Sequence, residues 1–155
     1  MNSDFKDLLK AFEETSVRYL VIGGYAYAEH VEPRYTKDLN IWVDNSTENA
    51  GRVIQAIRIF GAPLLDITSD DFEKPTTVYQ IGLPPLRIDI LAGLKEMNFS
   101  DCWSRRKVVM LGDLSVNYIS AKDLIINKEK AGRPQDLVDV TNLRKKIHMD
   151  EDQIR

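Results

Sequence analysis

Residues 19–44, YLVIGGYAYAEHVEPRYTKDLNIWVD, form the stretch from which the fold is predicted, because they contain two candidate strands and the turn between them. The apolar run at 19–22 is typical of a buried strand, and it stops at Gly23-Gly24, where the backbone can turn tightly or approach a ligand closely. A short helix-compatible segment over 25–31 follows and ends before Pro33. Residues 38–43 then predict a second strand.

The second strand carries polar side chains on one of its faces. Because strand side chains alternate, Asp38, Asn40 and Trp42 share one face, and the three apolar residues that alternate with them share the other. The apolar face is expected to look inward. A carboxylate and a carboxamide would then stand side by side near the Gly23-Gly24 turn, which is the layout of a phosphate-and-metal site.

Composition limits the class of protein. The 155 residues predict one domain, 1–155, and 43% hydrophobic with 29% charged residues is ordinary for a soluble globular protein. A single cysteine, Cys102, excludes an internal disulfide and favours a reducing, cytoplasmic location. No apolar run approaches the ~20 residues of a membrane span, so no membrane association is expected. The net charge of −3 argues against broad nucleic-acid binding, and two histidines with one cysteine disfavour a structural zinc site.

The order of predicted elements indicates an α/β (α+β) fold, a mixed sheet flanked by helices. Local signals predict a first helix that is capped by Ser3 and continues through residue 12. Three further helices are predicted over 48–60, over 121–131 and from Pro134 to about 147. Strands are predicted at 17–22, 38–43, 76–81, 87–91, 108–111 and 114–119. Pro84-Pro85 is expected to break the chain, and the tail 149–155 to be frayed. The helical C-terminal part, about 120–148, forms a helical pair.

Asp89 is the third candidate for the site, since an aspartate between Ile88 and Ile90 is poorly suited to a strand interior. Carboxylates on adjacent strands can hold two Mg²⁺ ions ~3.5–4 Å apart and so orient a nucleoside triphosphate. The alternative is structural. Asp38 and Asp89 would then pair with a basic neighbour (Arg34, Lys37 or Arg87) at a sheet edge, and the residues alone leave both interpretations open.

The last two helices carry charges on their apolar faces. Lys128 shares a helical face with Leu124 and Ile125, and Asp136 shares one with apolar residues of the final helix, with Asp139 at its margin. Such a lysine and aspartate form either a buried ion pair or part of a phosphate site. Both interpretations stay open at this point.

These blocks together resemble the nucleotidyltransferase-fold proteins of the polymerase-β superfamily, closest to the small bacterial group related to AbiEii-type toxins. The resemblance covers roughly residues 17–143, in the same order. Its motifs here read Gly23-Gly24, Arg34-x-Thr36-x-Asp38-x-Asn40, Asp89, Asn127-Lys128 and Gly132-Arg133-x-x-Asp136-Leu137-x-Asp139.

The resemblance implies roles for these residues, with Mg²⁺ or Mn²⁺ as cofactor and an NTP as substrate. Asp38, Asn40 and Asp89 stand at the metal-ligand positions, and Asp89 would also help to activate the acceptor hydroxyl. Gly23 and Gly24 would hold the triphosphate, with Lys128 as its counter-charge. The remaining implied site residues are Arg34 and Thr36 at the border of the site, and Arg133 with Asp136 and Asp139 near Lys128.

Asn40 departs from the family pattern, which has a carboxylate at this position. An amide oxygen can coordinate Mg²⁺, but it brings no negative charge to offset a second cation. Three interpretations stay open: transferase activity is lost, the position carries a substitution, or the amide suffices. Asn40 therefore belongs to the predicted catalytic set, Asp38, Asn40, Asp89 and Lys128, as its uncertain member.

Three functional hypotheses follow. The first is an enzyme that transfers a nucleotide to a hydroxyl of RNA, such as tRNA, or of a protein, as a component of a toxin–antitoxin or abortive-infection system. The second is a degenerate nucleotide-binding or partner-binding module, and the third is a small-molecule (antibiotic) nucleotidyltransferase. The small size suggests that a partner protein or a homodimer completes the acceptor site.

Other chemically distinctive residues have simpler interpretations. Trp42 is expected to be a packed sheet aromatic rather than a contact for a base or ribose, and His30 a structural histidine rather than a catalyst. Cys102 is expected to be a small buried hydrophobe. The basic run at 104–107 is expected to be a solvated loop rather than an RNA contact, and Trp103 beside it a packing anchor.

Overall fold

Residues 19–22 and 39–43 form two neighbouring central strands of a six-stranded mixed sheet. The computed structural model describes residues 1–83 and 86–154. Within those ranges the strands are β1 (Tyr19–Ile22), β2 (Leu39–Val43), β3 (Val78–Ile81), β4 (Ile88–Leu91), β5 (Lys107–Leu111) and β6 (Leu114–Tyr118). The helices are α1 (Ser3–Glu14), α2 (Gly23–His30), α3 (Thr47–Phe60), α4 (Phe99–Ser104), α5 (Ala121–Ala131) and α6 (Pro134–Ile154). The predicted break at Pro84-Pro85 lies outside the described residues.

The sheet is mixed, as predicted, with strand order β3-β4-β2-β1-β6-β5. β1 pairs antiparallel with β2 and parallel with β6, and β2 pairs parallel with β4. The pairs β3–β4 and β5–β6 are antiparallel. Because β2 and β4 run the same way and β1 runs against them, the starts of β2 and β4 lie beside the end of β1. The boundary of the sheet that these strand ends form is called the sheet edge below.

The ends of α3 and α5 follow the local signals, which predict a cap within 45–47, a second cap at Ser120, and helix stops at Gly61 and Gly132. Ser46 and Ser120 cap the two helices through their side chains, and Gly61 and Gly132 end them in the left-handed conformation. The prediction that Ser3 caps the first helix is wrong. Asn2 caps α1 instead, because its Oδ1 accepts the N–H of Asp4 at 2.7 Å.

One element was not predicted, and one prediction needed correction. The segment 99–104, for which no element was predicted, is a helix, α4, capped by Asn98; its six residues are too few to show a helical repeat in the sequence. The tail is not frayed through 149–154, since α6 continues to Ile154. An ion pair between Lys146 and Asp150, four residues apart, joins the added length to the predicted helix and favours helix.

Helix α2 packs against both the sheet and the C-terminal helical pair. α1 packs against α3 and β6, whereas α2 packs against β1, β2, α5 and α6. The apolar residues of β2 are fully buried, as are Ile88 and Ile90 of β4, which holds the two strands in one register. The C-terminal helical pair is therefore brought beside the sheet edge where β1 ends.

Candidate active site

Three of the predicted site residues lie together at the edge of the sheet where β1 ends. Asn40 is paired in register with Asp89 on β4 and with Ile22 on β1. Residues paired in register point to the same face, so the Asn40 and Asp89 side chains are neighbours. Asp38 immediately precedes β2 and shares this side of the strand. Strand pairing thus brings Asp89 next to Asn40 and Asp38, although Asp89 lies 49 and 51 positions after them in the sequence.

The Gly23-Gly24 pair lies directly above Asn40 and begins α2. Gly23 has a φ of +68°, and a Cβ placed there would lie 2.8 Å from the Asn40 amide nitrogen. A Cβ on Gly24 would lie 2.7 Å from Cγ2 of Thr36. Only glycine fits both positions. The N-cap residue, Ile22, has no side-chain acceptor for the first N–H groups of α2, which suits them to an anion.

Arg87 joins the two carboxylates of the site. Its terminal nitrogen donates a hydrogen bond to Asp38 Oδ2 at 3.1 Å and another to Asp89 Oδ2 at 3.3 Å. Its Nε lies 3.1 Å from Asp89 Oδ1. The structural alternative considered for Asp38 and Asp89, pairing with a basic neighbour, is therefore the arrangement in the structure, with Arg87 as that neighbour.

The oxygen atoms of this site suit one divalent cation. Within the described residues no group of three or more histidine, cysteine, aspartate and glutamate side chains converges on a point. Asp38, Asp89 and the Asn40 amide still supply three hard oxygen ligands of the kind that Mg²⁺ or Mn²⁺ takes. Asp89 is only 8% exposed, and its Oδ1 has no hydrogen-bond partner among the described residues. Asp89 Oδ1 has the charge of Arg87 Nε 3.1 Å away but receives no hydrogen bond from any described residue, so a cation could satisfy this buried oxygen.

A second cluster of charges lies where α5 and α6 meet. The Lys128 ammonium donates to Asp139 Oδ2 at 2.9 Å and lies 3.6 Å from Asp136 Oδ1. The guanidinium of Arg34 donates to both oxygens of Asp139, at 2.9 and 2.7 Å. Lys128 and Asp139 are buried, at 6% and 1% exposure. Of the two interpretations of Lys128 and Asp136, the structure shows the buried ion pair, within a cluster that has Asp139 at its centre. A role of Lys128 in binding phosphate stays a prediction.

Both aspartates of the cluster are held in their charged forms. Burial alone would raise the pKa of Asp139, but hydrogen bonds from Arg34, Lys128 and Gln135 outweigh it and bring the pKa down to about 2. Burial also opposes ionisation of Asp136, whose pKa is lowered by the hydrogen bonds and charge of Arg133. Arg133 itself extends from the surface, with 77% of its side chain exposed. It is therefore open to a ligand from solvent.

The loop between α2 and β2 connects the two clusters. Arg34, in the middle of the loop, stacks over the Tyr27 ring of α2, with its guanidinium carbon 3.8 Å from the ring centroid. Thr36 contacts Gly24, and its carbonyl accepts the Tyr25 hydroxyl at 3.2 Å. Asp38 ends the loop beside Arg87. The predicted residues thus surround the first half of α2 in two groups, the sheet-edge site and the helical cluster.

Sequence reasoning missed several residues that hold this arrangement. Tyr27 and Gln135 were not predicted for the site, because an aromatic on an apolar helix face and a glutamine on a helix surface are ordinary. Arg87 was predicted only as one of three structural partners. The one signal that favoured it over the other two was its position two residues before Asp89, which places both side chains on one strand face.

The simpler interpretations hold for three residues outside the site. Trp42 is buried and packs edge-on against Phe99, with ring centroids 5.1 Å apart. The Nε2–H of His30 donates to the Ile119 carbonyl at 2.6 Å, and burial lowers the pKa of His30. Cys102 is buried, and burial raises the pKa of its thiol to about 11. None of these three is placed to contact a nucleotide at the sheet-edge site.

The basic run at 104–107 is committed to contacts within the protein. Arg105 donates to both oxygens of the buried Asp123 at 3.0 Å, and Arg106 stacks on Trp103 with its guanidinium carbon 3.7 Å from the ring centroid. Lys107 lies 3.1 Å from Glu29. Trp103 is a packing anchor, as predicted. The expectation of a solvated loop was only partly right, because residue 104 ends α4 and residue 107 begins β5.

Comparison with solved structures identifies the fold as the nucleotidyltransferase fold, as the sequence predicted. One similar structure is the lincosamide antibiotic adenylyltransferase LnuA bound to lincomycin, at 16% identity and a TM-score of 0.55, covering 93% of this chain and 96% of that one. Another is TM1012 of Thermotoga maritima, a nucleotidyltransferase candidate, at 16% identity and a TM-score of 0.58, covering 94% and 91%. No known protein-family model and no curated protein sequence matches the chain.

Over residues 1–83 and 86–154, no helix combines the length and the apolar character that crossing a membrane requires.

A Gly23→Ala variant is expected to lose about 2 kcal/mol of unfolding free energy. The positive φ costs an L residue roughly 1–2 kcal/mol, and the added Cβ would also displace the Asn40 side chain. Gly51→Ala is the matched control, since a Cβ there meets no described atom within 4 Å and an alanine inside α3 should stabilise by roughly 0.5–1 kcal/mol. Urea unfolding of both variants tests this. Equal stability of the two would show that Gly23 is not held as described.

Proposed function

We propose that this protein is a nucleotidyltransferase that transfers a nucleotide from an NTP, with Mg²⁺ or Mn²⁺, to a hydroxyl group. The observation that carries the proposal is the convergence of Asp38, Asn40 and Asp89 beneath the Gly23-Gly24 start of α2. Oxygen ligands for a cation and free helix N–H groups for phosphate stand side by side there. The nucleotidyltransferase fold of the chain agrees with this assignment.

In the proposed reaction the acceptor oxygen forms a bond to the α-phosphorus, and the bond from that phosphorus to the pyrophosphate oxygen breaks. Asp38, Asp89 and the Asn40 amide oxygen hold the cation, which when bound offsets the negative charge of the triphosphate. The N–H groups of Gly23 and Gly24 bind phosphate oxygens. Asp89 accepts the hydrogen bond of the acceptor hydroxyl and takes its proton.

The acceptor is proposed at the level of a hydroxyl compound. RNA, such as tRNA, and protein hydroxyls were predicted by resemblance to the AbiEii-related group, together with a toxin–antitoxin role and a homodimer or partner protein. The similarity to LnuA favours a small-molecule acceptor as the alternative, because that adenylyltransferase is spanned over 96% of its length by this fold and is described with lincomycin bound.

A second candidate function is a nucleotide-binding module without transfer activity. Two features of the site favour it. Asn40 supplies no charge where a carboxylate is expected, and Arg87 already neutralises part of the charge of Asp38 and Asp89. Both features lower the attraction of the site for divalent cations, on which transfer depends.

Radiolabelling separates the two functions. The full chain is incubated with each of the four α-³²P-NTPs and Mg²⁺ or Mn²⁺, with tRNA, protein and a lincosamide as acceptors. Label transferred by wild type supports the enzyme, whereas label transferred only by Asn40→Asp supports the binding module. Asn117→Asp, the same change on β6, which β1 separates from β2, is the matched control and should behave as wild type. If neither wild type nor Asn40→Asp transfers label, and neither binds any NTP, both functions are overturned.

A further inference from the structure

Arg87 occupies the space between the two carboxylates of the proposed metal site. It is the residue before β4 and points to the same side of the strand as Asp89. Its guanidinium contacts Asp38 at 3.1 Å and Asp89 at 3.1 and 3.3 Å. About a third of the Arg87 side chain is exposed, at 31%, so it can leave the carboxylates without crossing the core.

The charges of this site differ from those of a three-carboxylate site by two units. Asp38 and Asp89 contribute −2, Asn40 contributes none, and Arg87 adds +1, so the four side chains sum to −1. A site with a third carboxylate and no arginine would sum to −3. Once Arg87 turns away, the two aspartates carry −2, which offsets one divalent cation, whereas a pair of divalent cations brings +4, twice that charge.

The contact between Arg87 and Asp89 is imperfect as a hydrogen bond. Arg87 Nε and Asp89 Oδ1 lie 3.1 Å apart, yet each is buried and, within the described part of the chain, neither has a hydrogen-bond partner. Their charges attract, but the geometry leaves a donor and an acceptor unsatisfied. The guanidinium is therefore a replaceable occupant, because a cation at Asp89 Oδ1 would satisfy an oxygen that Arg87 leaves unsatisfied.

We propose that Arg87 is a resident counter-ion that competes with a divalent cation for Asp38 and Asp89, so that this site binds one such cation instead of two. The proposal rests on the proposed function for the identity of the site. While no cation is bound, the positive charge of Arg87 offsets the repulsion between the carboxylates of Asp38 and Asp89. When a cation enters, the Arg87 side chain turns toward solvent. Its presence lowers the affinity for the cation and leaves a positive charge beside the bound triphosphate.

Mn²⁺ binding to the nucleotide-free full chain tests the proposal, with free Mn²⁺ followed by electron paramagnetic resonance. Wild type is expected to bind one Mn²⁺, and Arg87→Gln to bind Mn²⁺ at least about tenfold more tightly, because a competing charge is gone. Arg105→Gln is the matched control. It removes the same charge and breaks the comparable pair with Asp123, away from the site, and should leave Mn²⁺ affinity unchanged. Unchanged or weaker binding by Arg87→Gln, or two ions on wild type, would overturn the proposal.

A measurement on wild type covers the case in which Arg87→Gln does not fold. The side-chain Nε–H signals of Arg87 and Arg105 are followed by NMR during a Mg²⁺ titration. The Arg87 signal is expected to shift with saturation while that of Arg105 stays fixed, and an unmoved Arg87 signal would count against competition. Neither readout uses an NTP. Absence of NTP binding by wild type, together with a strong Mn²⁺ gain in Arg87→Gln, would reject the proposed function alone, whereas NTP transfer by wild type without such a gain would reject this inference alone.

Discussion

Asp89→Asn is expected to lower nucleotidyl transfer on the order of a hundred- to a thousandfold. Asp89 is the buried carboxylate of the site, and its Oδ1 receives no hydrogen bond within the described residues. The amide is nearly isosteric, but it has no charge to hold a cation and cannot accept the proton of the acceptor hydroxyl. The fold should survive, because Arg87 keeps its second partner, Asp38.

The measurement is the initial rate of label transfer, with the acceptor and NTP that wild type uses. Asp113→Asn is the matched control, since Asp113 lies exposed in the turn between β5 and β6 and the substitution changes net charge equally. Its rate should match that of wild type. Thermal unfolding of both variants checks that the loss is chemical. Asp89→Asn with at least half of the wild-type rate would remove Asp89 from the proposed mechanism.

The second large effect is expected on stability. Asp139→Ala should lower the unfolding free energy by about 3 kcal/mol, because it leaves the buried Lys128 ammonium with only the longer contact to Asp136 and frees Arg34 from its bidentate partner. Since Arg34 lies in the loop that leads to Asp38, nucleotide binding should weaken as well. Urea unfolding followed by circular dichroism measures the free energy.

Two variants make this second prediction specific. Asp150→Ala, on the same helix, removes an exposed carboxylate paired with Lys146 and should cost less than about 1 kcal/mol. The double variant Lys128→Met/Asp139→Leu should recover most of the stability, because an apolar pair of similar volume removes the unpaired buried charge. If Asp139→Ala is no less stable than Asp150→Ala, the buried cluster does not stabilise the fold.

Much of the fold was predictable because its signals are local. The caps Ser46 and Ser120 and the terminators Gly61 and Gly132 each act within a few residues of their own helix, so sequence spacing was sufficient. The alternation in β2 likewise identified the buried and polar faces. α4 escaped prediction because six residues carry too little periodicity, and the end of α6 because its ion pairs resemble an ordinary polar tail.

The site was predictable in its members but not in its pairings. Sequence reasoning named Asp38, Asn40 and Asp89, and the strand register now places them together. The spacing favoured Arg87 as the partner of Asp89, two residues away on the same strand face, but it could not show which of Arg34, Lys37 and Arg87 contacts Asp38. That choice depends on which strands are neighbours, a long-range property that no local pattern encodes. For the same reason Asp139, shared by Arg34 and Lys128 from two other elements, was underrated against Asp136.

Titration calorimetry of wild type with Mg²⁺-bound, non-hydrolysable NTP analogues tests the central claim most directly, because it requires neither an acceptor nor turnover. The proposed site predicts that at least one of the four nucleotides binds with a stoichiometry of one, and that Asp89→Asn weakens this binding while Asp113→Asn does not. Absence of binding by all four analogues, or equal binding by wild type and Asp89→Asn, would contradict a nucleotide site at the junction of β1, β2 and β4.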